Sequence, residues 1–320
     1  MITGLAVLAL LAAGFSNSFL MLEIASLFIG ACSIVPQLIL PLAANLSNDE
    51  SRGHHIGIIM SGLLIGILGS RAISGSIGFW LGWRAMFLIA AGICLVMILL
   101  MAKRFPQSKP SFNGSYQWLM RSMFSYLKTQ VTLRETSVIN FFAFALISAF
   151  WTTMVLFLAA PPYEFQTLQI GLFGIAGAAG ALAAPWVGKL SGRSHPGKNI
   201  LMGFILQLIS IGLFYFTGNY LVLFIAGIIL IDIGQQAIHV TNQTRIYALI
   251  PEARNRLNTI FMSVSFIGAS IGSAIGLTLW DIGKWPAFCL GCSVLILINM
   301  VIFAYYHKKS STRQEQLSSS

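Results

Sequence analysis

The chain consists largely of stretches of about 20 residues that are almost free of charge, and this length decides its fold class. A helix of about 20 apolar residues crosses the hydrocarbon core of a bilayer. Unpaired backbone polar groups are not tolerated there, so each stretch is predicted to be a helix and not an open strand. Only 9% of the residues are charged and 57% are hydrophobic, whereas an average soluble domain is about 25% charged. We therefore predict an all-α integral membrane protein with ten transmembrane helices, at roughly 2–18, 20–45, 54–81, 84–103, 137–160, 166–189, 198–216, 219–243, 257–280 and 284–306.

Most of the Lys and Arg residues lie on one side of the membrane in this predicted topology. With residue 1 on the inner side, sixteen of the nineteen fall in inner segments, Arg84 and Lys284 fall outside, and Arg71 falls within a span. Short cytoplasmic loops are enriched in Lys and Arg, so both termini are predicted to be cytoplasmic. A basic inner surface facing anionic lipid accounts for the net charge of +10, and no nucleic-acid partner is predicted.

Two stretches 202 positions apart resemble each other: "DESRGHHIGIIMS" (49–61) and "PEARNRLNTIFMS" (251–263). Aligning residues 50–85 with 252–287 without a gap gives eleven identities in 36 positions, where apolar composition alone would give about three. This indicates an internal repeat. Both copies precede a span that crosses in the same direction, which predicts two parallel six-helix repeats related by an axis along the membrane normal.

The repeat predicts the domain organisation. Residues 137–306 form a complete C-terminal half of six spans, and residues 1–103 form an incomplete N-terminal half of four. Residues 104–136 are predicted to be a central cytoplasmic loop, and residues 307–320 a cytoplasmic tail.

The segment "SGLLIGILGSRAISG" (61–75), followed by "GWRAMF" (82–87), resembles the glycine-rich fifth helix of the drug and sugar efflux branch of the major facilitator superfamily. Gly62 and Gly66 have the small-xxx-small spacing that lets helices approach closely, and they are predicted packing positions. The proline common in the antiporter motif is absent.

Further motifs extend the resemblance. "GKLSGRSHPGKN" (188–199) is similar to the superfamily's cytoplasmic helix-to-helix loop, although it has Gly192 where an Asp is usual. "AFWTTMVLFL" (149–158) and "NQTRIYALIPEARNRLNTIFM" (242–262) resemble an uncharacterised bacterial subgroup.

The resemblance implies a major-facilitator-type bundle of twelve helices, of which this chain covers helices 3 to 12 and lacks the first two. It implies a bacterial cell inner membrane as the location. In such a bundle the repeated acid-x-Arg pairs and the helix-to-helix loop are predicted to hold neighbouring helix ends together. The structural loop residues are Glu50, Arg52, Gly188, Arg193, Glu252 and Arg254.

Charged side chains inside a span are costly and indicate function. Asp232 lies 13 residues before Arg245, which is about 20 Å along a helix and near mid-membrane. Arg71 lies in the middle of the predicted fifth superfamily helix. We predict that Asp232 and Arg71 either couple transport to protons, with Asp232 loading and releasing one, or form a permanent ion pair.

On several spans polar residues recur at steps of three and four, which predicts that each of these helices has one polar face. In the superfamily these spans, the fourth, seventh and tenth, face the central cavity. His239 is alternatively a solvated residue, and Trp151 a packing residue. The predicted cavity residues are Ser33, Gln37, Asn140, Trp151, Gln235, Gln236 and His239.

The sequence contains no nucleophile–base set, phosphate-binding loop or metal-ligand cluster, so we predict no enzyme, cofactor or metal. The resemblance implies a monomeric secondary transporter, an efflux antiporter that exports a small organic solute in exchange for protons by alternating access. Without the first two helices the cavity wall is incomplete, which predicts that the chain transports poorly or not at all. The alternative is a non-transporting product, either a truncated relic or a membrane receptor of the same fold.

Overall fold

A computed structural model of the protein describes residues 2–33, 73–104, 116–181, 195–217, 220–250 and 253–318, together with positions 39, 59, 62, 66, 69 and 70. Secondary structure in these residues is helical, as the apolar stretches predict. The helices are α1 Ile2–Gly14, α2 Phe19–Cys32, α3 Trp83–Arg104, α4 Tyr116–Thr129, α5 Val131–Ala159, α6 Thr167–Ala181, α7 Pro196–Tyr215, α8 Leu221–Tyr247 and α9 Arg254–Ser318. Residues 73–81 are also helical.

The longest helix, α9, is two membrane helices in succession. Gly283 and Lys284 have non-helical backbone angles, with φ −157° and +54°. The turn lies at the predicted start of the last span: Gly283 falls in the interval 281–283, and Lys284 is the first residue of the predicted span. Pro286 occupies the first turn of the second segment, where its missing N–H interrupts no helical hydrogen bond. The two segments, 254–282 and 285–318, form a hairpin in which Gly291 faces Leu279.

Among the described residues, five helices are long and apolar enough to cross a membrane: Trp83–Lys103, Val131–Ala159, Pro196–Tyr215, Leu221–Tyr247 and Arg254–Lys308. Three shorter apolar helices accompany them: Ile2–Gly14, Phe19–Cys32 and Thr167–Gly177.

The chain divides into two compact units. The first contains Met1–Ser111 and Phe165–Ile175, and the second contains Phe112–Glu164 and Ala176–Ser320. In the first unit α1 packs against α2 and α3. Gly14 faces Leu88 of α3, and Arg84 Nη2 donates to the Ser16 carbonyl over 3.1 Å.

In the second unit, α5 and the first segment of α9 lie side by side in parallel. Gly268, Gly272 and Gly276 face the backbone of Phe141, Ala145 and Ala149 in that order, a constant offset of 127 positions. A Cβ at Gly276 would lie 2.9 Å from the Ala149 carbonyl oxygen. The three glycines therefore allow backbone contact between these two helices.

Helices α7 and α8 also make close backbone contact at glycines. A Cβ at Gly203 would lie 2.8 Å from the Gly234 carbonyl oxygen, and a Cβ at Gly234 would lie 2.7 Å from the Gly203 carbonyl oxygen. Near the C-terminal end of α7, Phe150 of α5 stacks on Phe214 at 4.7 Å between ring centroids, and Trp285 Nε1 donates to the Phe214 carbonyl over 2.9 Å.

The structure differs from the expected central loop. Part of the segment 104–136 forms α4, and α5 begins at Val131, six residues before the predicted start at 137. Met123, Tyr126 and Leu127 on one face of α4 pack against a buried apolar cluster at the ends of α5, α8 and α9. Tertiary packing of that face stabilises a helix that is too polar to count as a span.

Candidate transport site

Three helices of the second unit place polar side chains opposite one another. Helix α5 runs antiparallel to α8, so that Glu135 meets Arg245 and Asn140 meets His239. It runs parallel to the first segment of α9, so that Asn140 meets Ser265. In this register, polar residues that are far apart in the sequence form a series of contacts along the bundle interior. We call this series the polar ladder.

At one end of the ladder Arg245 Nη1 lies 2.9 Å from Glu135 Oε1, with side-chain exposures of 23% and 8%. The same guanidinium donates to Asn242 Oδ1 over 3.4 Å. The ion pair joins the start of α5 to the end of α8, where it is shielded from solvent on the carboxylate side.

The next level contains Asn140, which has no exposed surface. Its Nδ2 donates to Ser265 Oγ over 2.5 Å, and its Oδ1 lies 3.3 Å from His239 Nδ1. The His239 ring lies between those of Phe144 and Phe261, with centroids 5.2 and 5.6 Å away. The structure thus packs the imidazole among aromatic rings and does not leave it as a freely solvated side chain.

Three further polar contacts lie in the interior, two between α5 and α9 that continue the ladder and one between α7 and α8. Ser273 Oγ lies 2.7 Å from Ser148 Oγ and 3.0 Å from Thr152 Oγ1. Gln207 Nε2 donates to Gln235 Oε1 over 3.4 Å, and both side chains are buried.

Trp151 and Asp232 meet on the small-residue face of α6. A Cβ at Gly177 would lie 2.7 Å from Trp151 Cη2 and 2.9 Å from Asp232 Oδ2. A Cβ at Gly180 would lie 2.5 Å from the Asp232 Cβ and 2.9 Å from the Ile229 carbonyl oxygen. The two glycines thus leave room for an aromatic ring and a carboxylate side by side, both half-buried.

Several predicted residues are described but stand outside this ladder. Gln236 is half-buried on α8. Ser33 is exposed at the end of α2, where its hydroxyl donates to the Ile29 carbonyl over 2.8 Å. Arg254 Nε donates over 2.9 Å to the carbonyl of Tyr247, the last residue of α8. A Cβ at Gly62 or Gly66 would meet no described residue within 4 Å, so their role in packing stays a prediction.

The other predicted site residues lie outside the described residues. Their roles, including the pairing of Arg71 with Asp232 and the anchoring by acid-x-Arg loops, stay predictions. They are Gln37, Glu50, Arg52, Arg71, Gly188, Arg193 and Glu252.

Sequence reasoning missed Glu135, Gln207, Ser265 and Ser273. Glu135 falls within the predicted central loop, although it is the first acid after Glu50 in the chain. Gln207 is the one amide side chain between Asn199 and Asn219, which marks it as a polar residue within a span.

The described architecture is that of a polytopic helical membrane protein whose interior is held by polar contacts. The family model of the Major Facilitator Superfamily matches residues 1–219 and again 136–320. The chain is 36% identical over 288 residues to the uncharacterized transporter YgaY of Escherichia coli, a match that covers 90% of this chain and 73% of that one. It is 21% identical to the uncharacterized MFS-type transporter YybF of Bacillus subtilis, covering 92% and 73%.

Solved structures agree on the fold. A bacterial homolog of the human lysosomal transporter Spinster, in an inward-facing and unoccupied conformation, superimposes with a TM-score of 0.70 at 14% identity, covering 97% of this chain and 82% of that one. The chain belongs to the major facilitator superfamily. Membership defines it as a multi-pass membrane protein of a transporter family and not an enzyme.

Proposed function

We propose that this protein is a secondary transporter that exports a small organic solute across the bacterial inner membrane in exchange for protons. Both termini are cytoplasmic in this proposal, as the distribution of Lys and Arg indicates. The halves rock around a site near the middle of the bilayer, which is the mode of action of parallel-repeat transporters. The chain acts as a monomer.

The observation that carries the proposal is the placement of Trp151 and Asp232 together against Gly177. An aromatic ring supplies a flat apolar surface for an organic solute. A carboxylate next to it supplies a group that carries charge or a proton. Asp232 lies 13 residues before Arg245, about 20 Å along α8, so the pair is deep in the membrane.

Burial of Asp232 in a span supports a role in proton coupling. An ionised carboxylate far from water is unfavourable, and the energy falls when the group binds a proton or lies near a cation. In the proposal Arg71 supplies that cation in one state of the cycle and releases Asp232 in the other. His239, Gln235, Gln236 and Asn140 line the route from Asp232 towards the Arg245 end of α8 in this proposal.

The test uses the purified full chain in liposomes that contain the pH indicator pyranine, with an imposed pH difference. A panel of organic cations, organic anions and neutral sugars is added one at a time, and solute-dependent proton movement is recorded. Exchange that is lost in Asp232→Asn and kept in Asp281→Asn supports the proposal. Asp281 is a matched control because it is an exposed carboxylate at the turn end of the first α9 segment.

Proton exchange that continues unchanged in Asp232→Asn would refute the coupling role. If no solute in the panel produces exchange, the non-transporting alternative replaces the transport proposal.

A further inference from the structure

Helix α4 has one face packed on the protein and one face exposed. The packed face places Met123, Tyr126 and Leu127 on the apolar cluster formed by Leu133, Ile246, Ala253, Leu257, Ile260 and Phe261. The opposite face repeats at steps of three and four. Its exposed residues are Gln117, Trp118, Arg121, Phe124, Ser125, Lys128 and Thr129.

The exposed face combines aromatic and basic side chains. Trp118 is 53% exposed and Phe124 is 67% exposed, while Arg121 and Lys128 lie between them around the helix. Helices that lie in the bilayer interface combine large apolar residues, which reach the acyl boundary, with Lys and Arg residues, which meet the headgroups.

The surrounding sequence is uniformly basic. From Lys103 to Arg134 there are six Lys or Arg residues and no Asp or Glu. A segment of one sign on a membrane protein is complementary to anionic lipid headgroups. An acid that would repel such headgroups first occurs at Glu135, which is already paired with Arg245.

The chain path holds α4 at the membrane boundary. It ends at Thr129, and the membrane helix α5 begins two residues later at Val131. The 29 residues of α5 are about 43 Å long, more than the roughly 30 Å of a hydrocarbon core. The start of α5, and with it α4, therefore lies at headgroup level.

Arg256, in the first turn of α9, contacts three side chains of α4. Its Nη1 donates to Ser122 Oγ over 3.2 Å. Its guanidinium carbon lies 5.4 Å from the Trp118 ring centroid and 5.1 Å from the Tyr126 ring centroid. The face that Trp118 and Arg121 present is thus fixed relative to the helices that form the polar ladder.

We propose that the exposed face of α4 is a binding surface for anionic phospholipids of the surrounding bilayer. Arg121 and Lys128 contact the phosphate groups, and Trp118 and Phe124 insert at the boundary between headgroups and acyl chains. Because the other face of α4 packs on the ends of α5, α8 and α9, lipid bound here stabilises the C-terminal half.

The test measures thermal unfolding of the purified full chain in a neutral detergent with added phosphatidylglycerol or with phosphatidylcholine of the same acyl chains. We expect phosphatidylglycerol to raise the Tm of the wild type more than phosphatidylcholine does. R121Q/K128Q should lose at least half of that extra shift. The matched control K198Q/K308Q removes two exposed cations outside α4 and outside the basic segment 103–134 and should keep it.

A second pair of measurements separates the proposal from its alternatives. R121K/K128R retains both charges and should keep the shift, which distinguishes lost lipid binding from a folding defect. Glycerol phosphate at the same concentration should produce no shift, because the surface requires a headgroup attached to acyl chains. An extra shift that is equal in R121Q/K128Q and the wild type would overturn the proposal. A shift reproduced by glycerol phosphate would overturn the lipid assignment.

Discussion

Arg245 Nη1 and Glu135 Oε1 lie 2.9 Å apart, although the two residues are separated by 110 positions in the sequence. The pair closes α5 against α8 at one end of the polar ladder. A hydrogen bond to a charged group contributes about 1.5–3 kcal/mol, and removal of one partner leaves the other charge partly buried.

Glu135→Gln is therefore expected to destabilise the fold by about 1.5–3 kcal/mol, measured as a lower Tm of the purified protein in detergent. Glu164→Gln is the control, because Glu164 is exposed in the connection between α5 and α6 and its loss should leave the Tm nearly unchanged. Equal effects of the two substitutions would show that the ion pair contributes nothing specific.

Gly272→Ala is expected to push α5 and α9 apart. The new methyl group would meet the backbone of Ala145, and backbone cannot move aside as a flexible side chain does. Overpacking of this kind destabilises by about 1–3 kcal/mol, again read from the Tm.

Gly212→Ala is the matched substitution on α7, where a Cβ would meet no described residue within 4 Å. Alanine is favoured over glycine in a helix by about 0.5–1 kcal/mol, so this variant should be slightly more stable. If both variants change stability in the same direction, close backbone contact at Gly272 is not the cause.

Asn140→Ala is expected to destabilise the protein by about 1–3 kcal/mol, because it leaves His239 without its hydrogen bond and opens space at a fully buried position. Asn255→Ala, at an exposed position in the first turn of α9, is the control. A double-mutant cycle with Ser265→Ala should give a coupling energy of about 0.5–3 kcal/mol, which is typical of directly bonded residues. Additive effects would argue against the Asn140–Ser265 bond.

Gly177→Ala tests the Trp151–Asp232 site rather than the fold. The added methyl group would meet the far end of the Trp151 ring and the Asp232 carboxylate, and both can shift, so we expect only a small change in Tm. Under the proposed function, solute-dependent proton exchange should fall several-fold, while Gly212→Ala should leave it unchanged. Full exchange in Gly177→Ala would remove Gly177 from the site.

The sequence predicted the positions of the spans more accurately than the residues at which the helices begin and end. The turn at Gly283 and Lys284 lies where the last two spans were predicted to meet, because Gly283, Lys284 and Pro286 fall within four positions there and interrupt the apolar pattern. The start of α5 was predicted at 137, but the helix begins at Val131. The residues between them include Arg134 and Glu135. Charged residues interrupt an apolar stretch and so indicate a loop, unless the residue with which they pair in the fold is known.

The candidate site was predictable by residue type and not by contact. Asp232, Trp151, Asn140 and His239 were identified because a polar group within a span requires a partner or a function. Their actual neighbours could not be read from the chain, since Gly177 and Ser265 are ordinary small residues until another helix is placed against them.

The sequence by itself determined the class of protein, the number of predicted spans and the internal repeat. The class and the spans follow from composition and length, because transfer of about 20 apolar residues into lipid is favourable wherever they occur. The repeat follows from eleven identities between residues 50–85 and 252–287. Tertiary structure alone decided which helix faces meet. The register between α5 and α9 depends on three glycines that allow backbone contact, and the pairing of Glu135 with Arg245 depends on the antiparallel approach of α5 and α8. Such contacts join residues more than a hundred positions apart, and their energies arise only when the helices are packed.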